Sequence, residues 1–162
     1  MRKKLELPLV VISLAAAAIL AAASYGVPKD KRWKADELIK PEQLEKMLSG
    51  KSKDKPLVLQ VGFEFLYYGG HIDGSIWAGP ASTANGITKL KNAVKGIPKN
   101  KEIVLYCGCC PWAECPNIQP AFDTMRKLGF KDVKVLYLPS NFEQDWISKG
   151  YPTEKSPTVG AK

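Results

Sequence analysis

Ile103-Val-Leu-Tyr-Cys107-Gly-Cys-Cys-Pro-Trp-Ala-Glu-Cys115 places an apolar run directly before a loop that holds all four cysteines of the chain. Four apolar residues that end at turn formers read as a buried strand. Ile118 to Leu128, closed by Gly129, reads as the helix after the loop. A strand, a turn-rich loop and a helix form the unit in which an α/β protein presents a nucleophile or a soft-metal site. In open α/β sheets ligands bind beyond the carboxyl ends of the strands, and Cys107 stands at such an end.

The elements on either side repeat this alternation. Trp33 to Ile39 reads as a short strand or entry segment, and Pro41 opens a helix through Leu48, because proline is tolerated in a first turn. Leu57-Val-Leu-Gln-Val61 is a second apolar run, Phe63 to Tyr68 a short helix ended by Gly69 and Gly70, and Ile76-Trp77 a brief strand. Ala84 to Val94 is a helix, Val133 to Leu138 a strand, and Phe142 to Lys149 a last helix. Strands that alternate with helices imply an α/β fold with a mainly parallel sheet covered on both faces.

The chain has 162 residues, 45% apolar and 25% charged, which suits one domain with a real core and excludes disordered and collagen-like classes. Arg2, Lys3 and Lys4 precede the apolar stretch Leu9 to Ala23, closed by small residues, so residues 1–23 are expected to be a secretory signal. The alternative is an uncleaved anchor, although the stretch falls short of the ~20 residues that a span needs. Either reading puts the domain outside the cytoplasm, periplasmic or extracytoplasmic, with membrane contact only through an uncleaved N-terminal segment. Residues 24–32 read as a linker, 33–151 as the domain and 152–162 as a polar tail. Removing residues 1–23 takes away three basic residues and one acid, lowering the net charge from +8 to +6. The lysines are scattered, with no arginine-rich or aromatic-interleaved stripe, which argues against nucleic-acid binding and leaves small anionic substrates favoured.

The order of elements and several motifs resemble a single-domain rhodanese, of the sulfurtransferase family. Pro41-Glu-Gln-Leu44 is similar to the family's early helix, and Gly70-His-Ile-Asp-Gly-Ser75 to its Gly-His-Ile-Pro-Gly-Ala signature. Ile103-Val-Leu-Tyr-Cys107 resembles the strand that ends in the active-site cysteine, and Leu128-Gly-Phe130 the closing turn. The resemblance covers roughly Trp33 to Tyr151. It implies a rhodanese-like three-layer sandwich, with Cys107 as the catalytic thiol and Gly108, Cys109, Cys110, Trp112, Ala113 and Glu114 as the substrate- and anion-binding loop. Three departures stand out. Gln60-Val61-Gly62 replaces the family's Asp-x-Arg, the loop is longer by about five residues within its cysteine-rich part, and Asn117 lies where an arginine is usual.

Sulfane-sulfur transfer needs a thiolate that attacks a donor, holds the sulfur as a persulfide and passes it on. Loop N–H groups and the following helix N-terminus are expected to favour an anion on Cys107. No side-chain base and no cofactor are required. The partners are then a small sulfur-donor anion and a thiol acceptor, with a protein acceptor also open. Cys109, Cys110 and Cys115 have three readings: a structural disulfide such as Cys110 with Cys115, a resolving thiol, or soft-metal ligands. Cys-x-Cys-Cys-x4-Cys is not a standard zinc spacing. The alternative function is therefore a non-catalytic thiol-redox or soft-metal (Cu/Zn) binding module that uses Cys107, Cys109, Cys110 and Cys115. A loop locked by disulfides is a third reading.

His71, the single histidine, reads as a hydrogen-bonding structural residue. Trp112 and Glu114 shape the pocket or are simply exposed. Phe63, Phe65, Tyr67, Tyr68 and Trp77 read as core and rim packing. Cys107 through Pro116 contains no lysine or arginine, which argues against phosphatase chemistry, where a loop cation neutralises the oxyanion.

Overall fold

The computed structural model describes residues 32–156. The expected signal, all of the linker but Arg32, and residues 157–162 lie outside the described residues. In chain order the strands are β1 (Leu38–Ile39), β2 (Leu57–Gln60), β3 (His71–Ile72), β4 (Ile76–Trp77), β5 (Ile103–Tyr106), β6 (Val133–Leu136) and β7 (Thr153–Glu154). The helices are α1 (Pro41–Ser49), α2 (Glu64–Gly69), α3 (Ala84–Ala93), α4 (Ile118–Lys127) and α5 (Phe142–Asp145). Five strands form one parallel sheet in the order β1-β6-β5-β2-β4. The central strand is β5, the one that leads into Cys107.

All four residues of β5 are buried because the sheet is covered on both faces. Ile103, Leu105 and Cys107 face one core, shared with Leu90 of α3 and Ile118, Phe122 and Met125 of α4. Val104 and Tyr106 face the other, shared with Leu44 of α1 and Phe142 and Trp146 at α5. This is the three-layer arrangement expected from the sequence, and the strand's twofold alternation divides its side chains between the layers. No helix among the described residues is long and apolar enough to cross a membrane.

Two features differ from the sequence reading. The last helix is broken after Asp145 and resumes as a 3-10 turn, Ile147–Lys149. Between them Trp146 is fully buried with non-helical backbone angles, and its indole N–H donates to Pro152 O at 3.0 Å. The segment read as a polar tail begins with β7, which pairs antiparallel with β3. That pairing lets Glu154 reach His71, 3.1 Å from its Nε2, while His71 Nδ1 lies 2.7 Å from Tyr67 O. Both ring nitrogens are thus committed, and the ring stacks on Tyr67 at 3.7 Å, in keeping with a structural histidine. The Tyr106 hydroxyl, just before Cys107, ties this corner to the sheet by accepting from Ile72 N and bonding Ser75 Oγ, both at 3.1 Å.

Candidate active site

Cys107 leaves the carboxyl end of β5 with its side chain only 3% exposed. The chain turns at Gly108, whose φ of 92° suits glycine. A Cβ there would also meet Phe142 Cβ at 3.0 Å. The turn is pinned to α5, because Phe142 N donates to Gly108 O at 3.2 Å. Gly62, at the end of the neighbouring strand, clears the space beside the sulfur. A Cβ on Gly62 would lie 2.8 Å from Cys107 Sγ, well inside contact distance.

Two amide side chains complete the setting. Gln60 Nε2 donates to Cys107 O at 2.9 Å, while its Oε1 accepts from Gly62 N at 3.1 Å. Asn117 stands at the N-cap of α4, where its side chain would ordinarily accept from the helix N–H groups. It makes no such cap bond. Its Oδ1 instead accepts from Ser82 N at 2.9 Å, which turns Nδ2 to donate to Cys107 Sγ at 3.4 Å. A buried helix start forgoes about 1 kcal/mol of capping, and a neutral donor is aimed at the sulfur. The positions that depart from the family pattern, Gln60, Gly62 and Asn117, are therefore the ones that surround Cys107.

Two of the remaining thiols, those of Cys109 and Cys115, gather on the same atom. Cys109 Sγ is 3.3 Å from Cys107 Sγ and 3.1 Å from Cys110 Sγ, and the sulfurs of Cys107, Cys109 and Cys115 all lie within 4.8 Å of one another. All four are free thiols. Their mutual hydrogen bonds act in both directions, and with burial the net effect raises all four thiols. The Cys109 thiol, followed by burial, pushes the Cys107 thiol up to about 12, against opposing contributions from the Cys115 thiol and the Cys109 backbone N–H. Cys115 is likewise pushed up to about 12, first by the Cys107 thiol, and Cys110 to about 11, first by burial. For Cys109 the bond to Cys107 lowers the value, but Cys115 and burial outweigh it. The expected stabilisation of a Cys107 thiolate is thus opposed by the neighbouring thiol and burial, while the Cys109 backbone N–H acts in the expected direction. α4 begins only at Ile118, and the nearest polar neighbours of Cys107 Sγ are other thiols and one neutral amide rather than a cation.

A cleft of about 660 Å³ opens onto Cys107, Gly108 and Cys109. Of the loop residues expected to bind substrate, only Gly108 and Cys109 line it. Cys110, Trp112, Ala113 and Glu114 do not. Trp112 turns inward against Trp33 and Tyr137, ring centroids 5.9 and 5.5 Å away, and Glu114 is exposed. Ala113 O accepts from Arg32 Nη2 at 2.8 Å. The opposite walls come from Phe63, Phe65 and Leu66 after β2, and from Asn141, Phe142 and Glu143 after β6. Phe63 and Phe65, read from sequence as core and rim packing, are on the rim: both are exposed, and they stack at 6.0 Å beside the cleft. Residues 141–143 carry no chemical signature in the sequence. The pointer to them is that β6 adjoins β5, so the segment after β6 must flank the loop after β5. Glu143 is the one carboxylate among the lining residues, which include no lysine or arginine.

The rhodanese-like domain model matches residues 40–137, more than half of the chain. The chain belongs to the rhodanese-like family. No curated protein matches it. Among solved structures, the rhodanese fold is shared with the Alr3790 protein of Anabaena, 23% identical over 75% of this chain and 85% of that one, TM-score 0.56. It is shared too with a single-domain sulfurtransferase of Saccharomyces cerevisiae, 17% identical over 72% and 93%, TM-score 0.53. A thiosulfate sulfurtransferase of Pseudomonas aeruginosa is 23% identical over 78% of this chain but only 22% of its own, TM-score 0.55. At these identities the likeness establishes the rhodanese fold.

Proposed function

We propose that the protein is a sulfurtransferase that carries sulfane sulfur as a persulfide on Cys107. The observation that carries this reading is the setting of Cys107, in the lining of the cleft, with its Sγ packed close against Gly62 and Asn117 Nδ2 donating to it. In the first half-reaction Cys107 loses its proton to solvent and the sulfur attacks the outer sulfur of the donor. With thiosulfate the donor S–S bond breaks, sulfite leaves with the bonding electron pair, and Cys107 holds the persulfide. In the second, an acceptor thiolate attacks the outer persulfide sulfur, takes it, and Cys107 leaves as thiolate. The Asn117 amide and the Cys109 backbone N–H stabilise that anion each time it forms.

The cleft refines the substrate class. Without a lining cation it offers a small dianion only N–H groups and the field of Glu143 opposes it. Phe63 and Phe65 offer apolar surface instead, which suits a donor or acceptor thiol on an apolar arm. The domain's export and its use of an extracytoplasmic acceptor belong to the same proposal, supported by the pattern of residues 1–23. The test is steady-state sulfur transfer to cyanide, read as thiocyanate, from thiosulfate and from an apolar alkyl persulfide. Turnover with the alkyl persulfide that exceeds turnover with thiosulfate and vanishes in Cys107→Ser is expected. Equal activity of Cys107→Ser and parent overturns the reading.

A further inference from the structure

Three thiols of the loop form a group that sulfur transfer through a single cysteine does not require. We propose that Cys107, Cys109 and Cys115 together bind one Cu(I) ion as a three-thiolate site. The three sulfurs are mutually within 4.8 Å, close enough for one ion to touch all of them. They come from the strand end, the start of the loop and its far end, and the loop itself is braced in that shape. Trp112 N donates to Leu138 O at 3.0 Å and Cys115 N to Trp112 O at 3.3 Å, while the Trp112 ring is buried against Trp33. Cys107 and Cys115 are buried and Cys109 is exposed, so the site has a dry floor and an entry from the cleft.

The donor set selects the ion. Thiolates are soft ligands that favour Cu(I), Zn and iron–sulfur clusters. Structural zinc takes four protein ligands, and the mutual set holds three, with no carboxylate or imidazole in it. Cys110 Sγ touches Cys109 and interacts with the Cys115 thiol but lies outside the set of three mutually close sulfurs, and His71 is held by Tyr67 and Glu154. Three sulfurs within reach of one ion fit Cu(I). Asn117 Nδ2, already on Cys107 Sγ, supplies the outer-shell donor that offsets negative charge on the bound thiolates. Binding releases the thiol protons to solvent, copper enters and stays as Cu(I), and no electron moves. Because Cys107 Sγ is one ligand, bound copper excludes a persulfide. That competition rests on the sulfurtransferase reading, whereas the metal site does not.

The experiment is an anaerobic titration of the reduced, metal-free full chain with Cu(I) held in competition by bicinchoninate, beside a parallel titration with Zn(II). One Cu(I) per chain is expected, bound in preference to zinc. Cys109→Ser and Cys115→Ser should each weaken it by at least about 100-fold, and Asn117→Ala by about 10-fold. Cys110→Ser should bind like the parent. Cys109 is exposed, so its variant carries the test even where Cys115→Ser, in the core, lowers the melting temperature. Failure to hold Cu(I) against bicinchoninate, preference for zinc, or a loss in Cys110→Ser equal to that in Cys109→Ser overturns the proposal. Sulfur uptake by the metal-free parent is read separately. Copper binding without sulfur uptake refutes sulfur transfer and the competition while supporting the site, and sulfur uptake without copper binding refutes the site alone.

Discussion

Two buried polar residues, His71 and Cys107, sit on the same scaffold and are treated in opposite ways. Both nitrogens of His71 lie within hydrogen-bond distance of a partner, Tyr67 O and Glu154, and a ring is stacked against it. Nothing of the imidazole is left over for chemistry. Cys107 Sγ has other thiols, a neutral amide and the bare Cα of Gly62 around it, and a cleft in front. Its neighbours disfavour a standing anion, and the cleft gives a sulfur donor its approach. Residue type alone would favour the histidine as the reactive group. Completeness of hydrogen bonding assigns it to the fold and leaves the cysteine for reaction.

The largest break in this contrast is a pair of substitutions. Cys107→Ser should abolish sulfur uptake while leaving the melting temperature near that of the parent. His71→Ala should keep uptake and lose about 1–3 kcal/mol of stability, the cost of leaving buried partners unpaired, measured by denaturant unfolding. The pH dependence comes next. With the Cys107 thiol pushed up to about 12, its alkylation by iodoacetamide should rise about tenfold per pH unit from pH 7 to 10. Cys109→Ala removes the first cause of that shift and should move the profile to lower pH. The sign for stability follows: a raised thiol value means that the fold retains its proton. The contribution is whole below the ordinary value of 9.0 and is lost as pH climbs toward about 12.

Gly62→Ala tests the close packing of the sulfur directly. A methyl group 2.8 Å from Cys107 Sγ should displace the sulfur and cut the rate of uptake by about 100-fold, as misplacements near 1 Å do. The smallest effect is expected for Asn117→Ala. Losing one N–H donor to a sulfur anion, about 1.5 kcal/mol, should slow uptake roughly tenfold at fixed pH, read by stopped-flow mass sampling.

Much of this was legible beforehand, for a physical reason. Ile103 to Tyr106 and Leu57 to Gln60 are apolar throughout because both faces of a parallel sheet are covered, and a central strand so written has few other places to go. Cys107 at the end of such a strand was visible with it, as was α4, whose apolar spacing is strong. β3 and β7 were not, because each is two residues long and its partner lies in a remote part of the chain. Asn117 and Gly62 were visible only as departures from a pattern. Their purpose depends on Ser82 and Cys107 being brought to them from remote parts of the chain, which no local signal encodes. The same holds for Trp112, expected near substrate and found in the core, since nothing in the loop says that Trp33 waits for it.

The most direct measurement is the intact mass of the reduced, metal-free protein before and after a sulfur donor, followed by peptide mapping, beside Cys107→Ser. Gain of one sulfur by the parent, located on Cys107 and absent from the variant, is expected. A parent that gains no sulfur, or a variant that gains as much, would contradict a persulfide carried on Cys107.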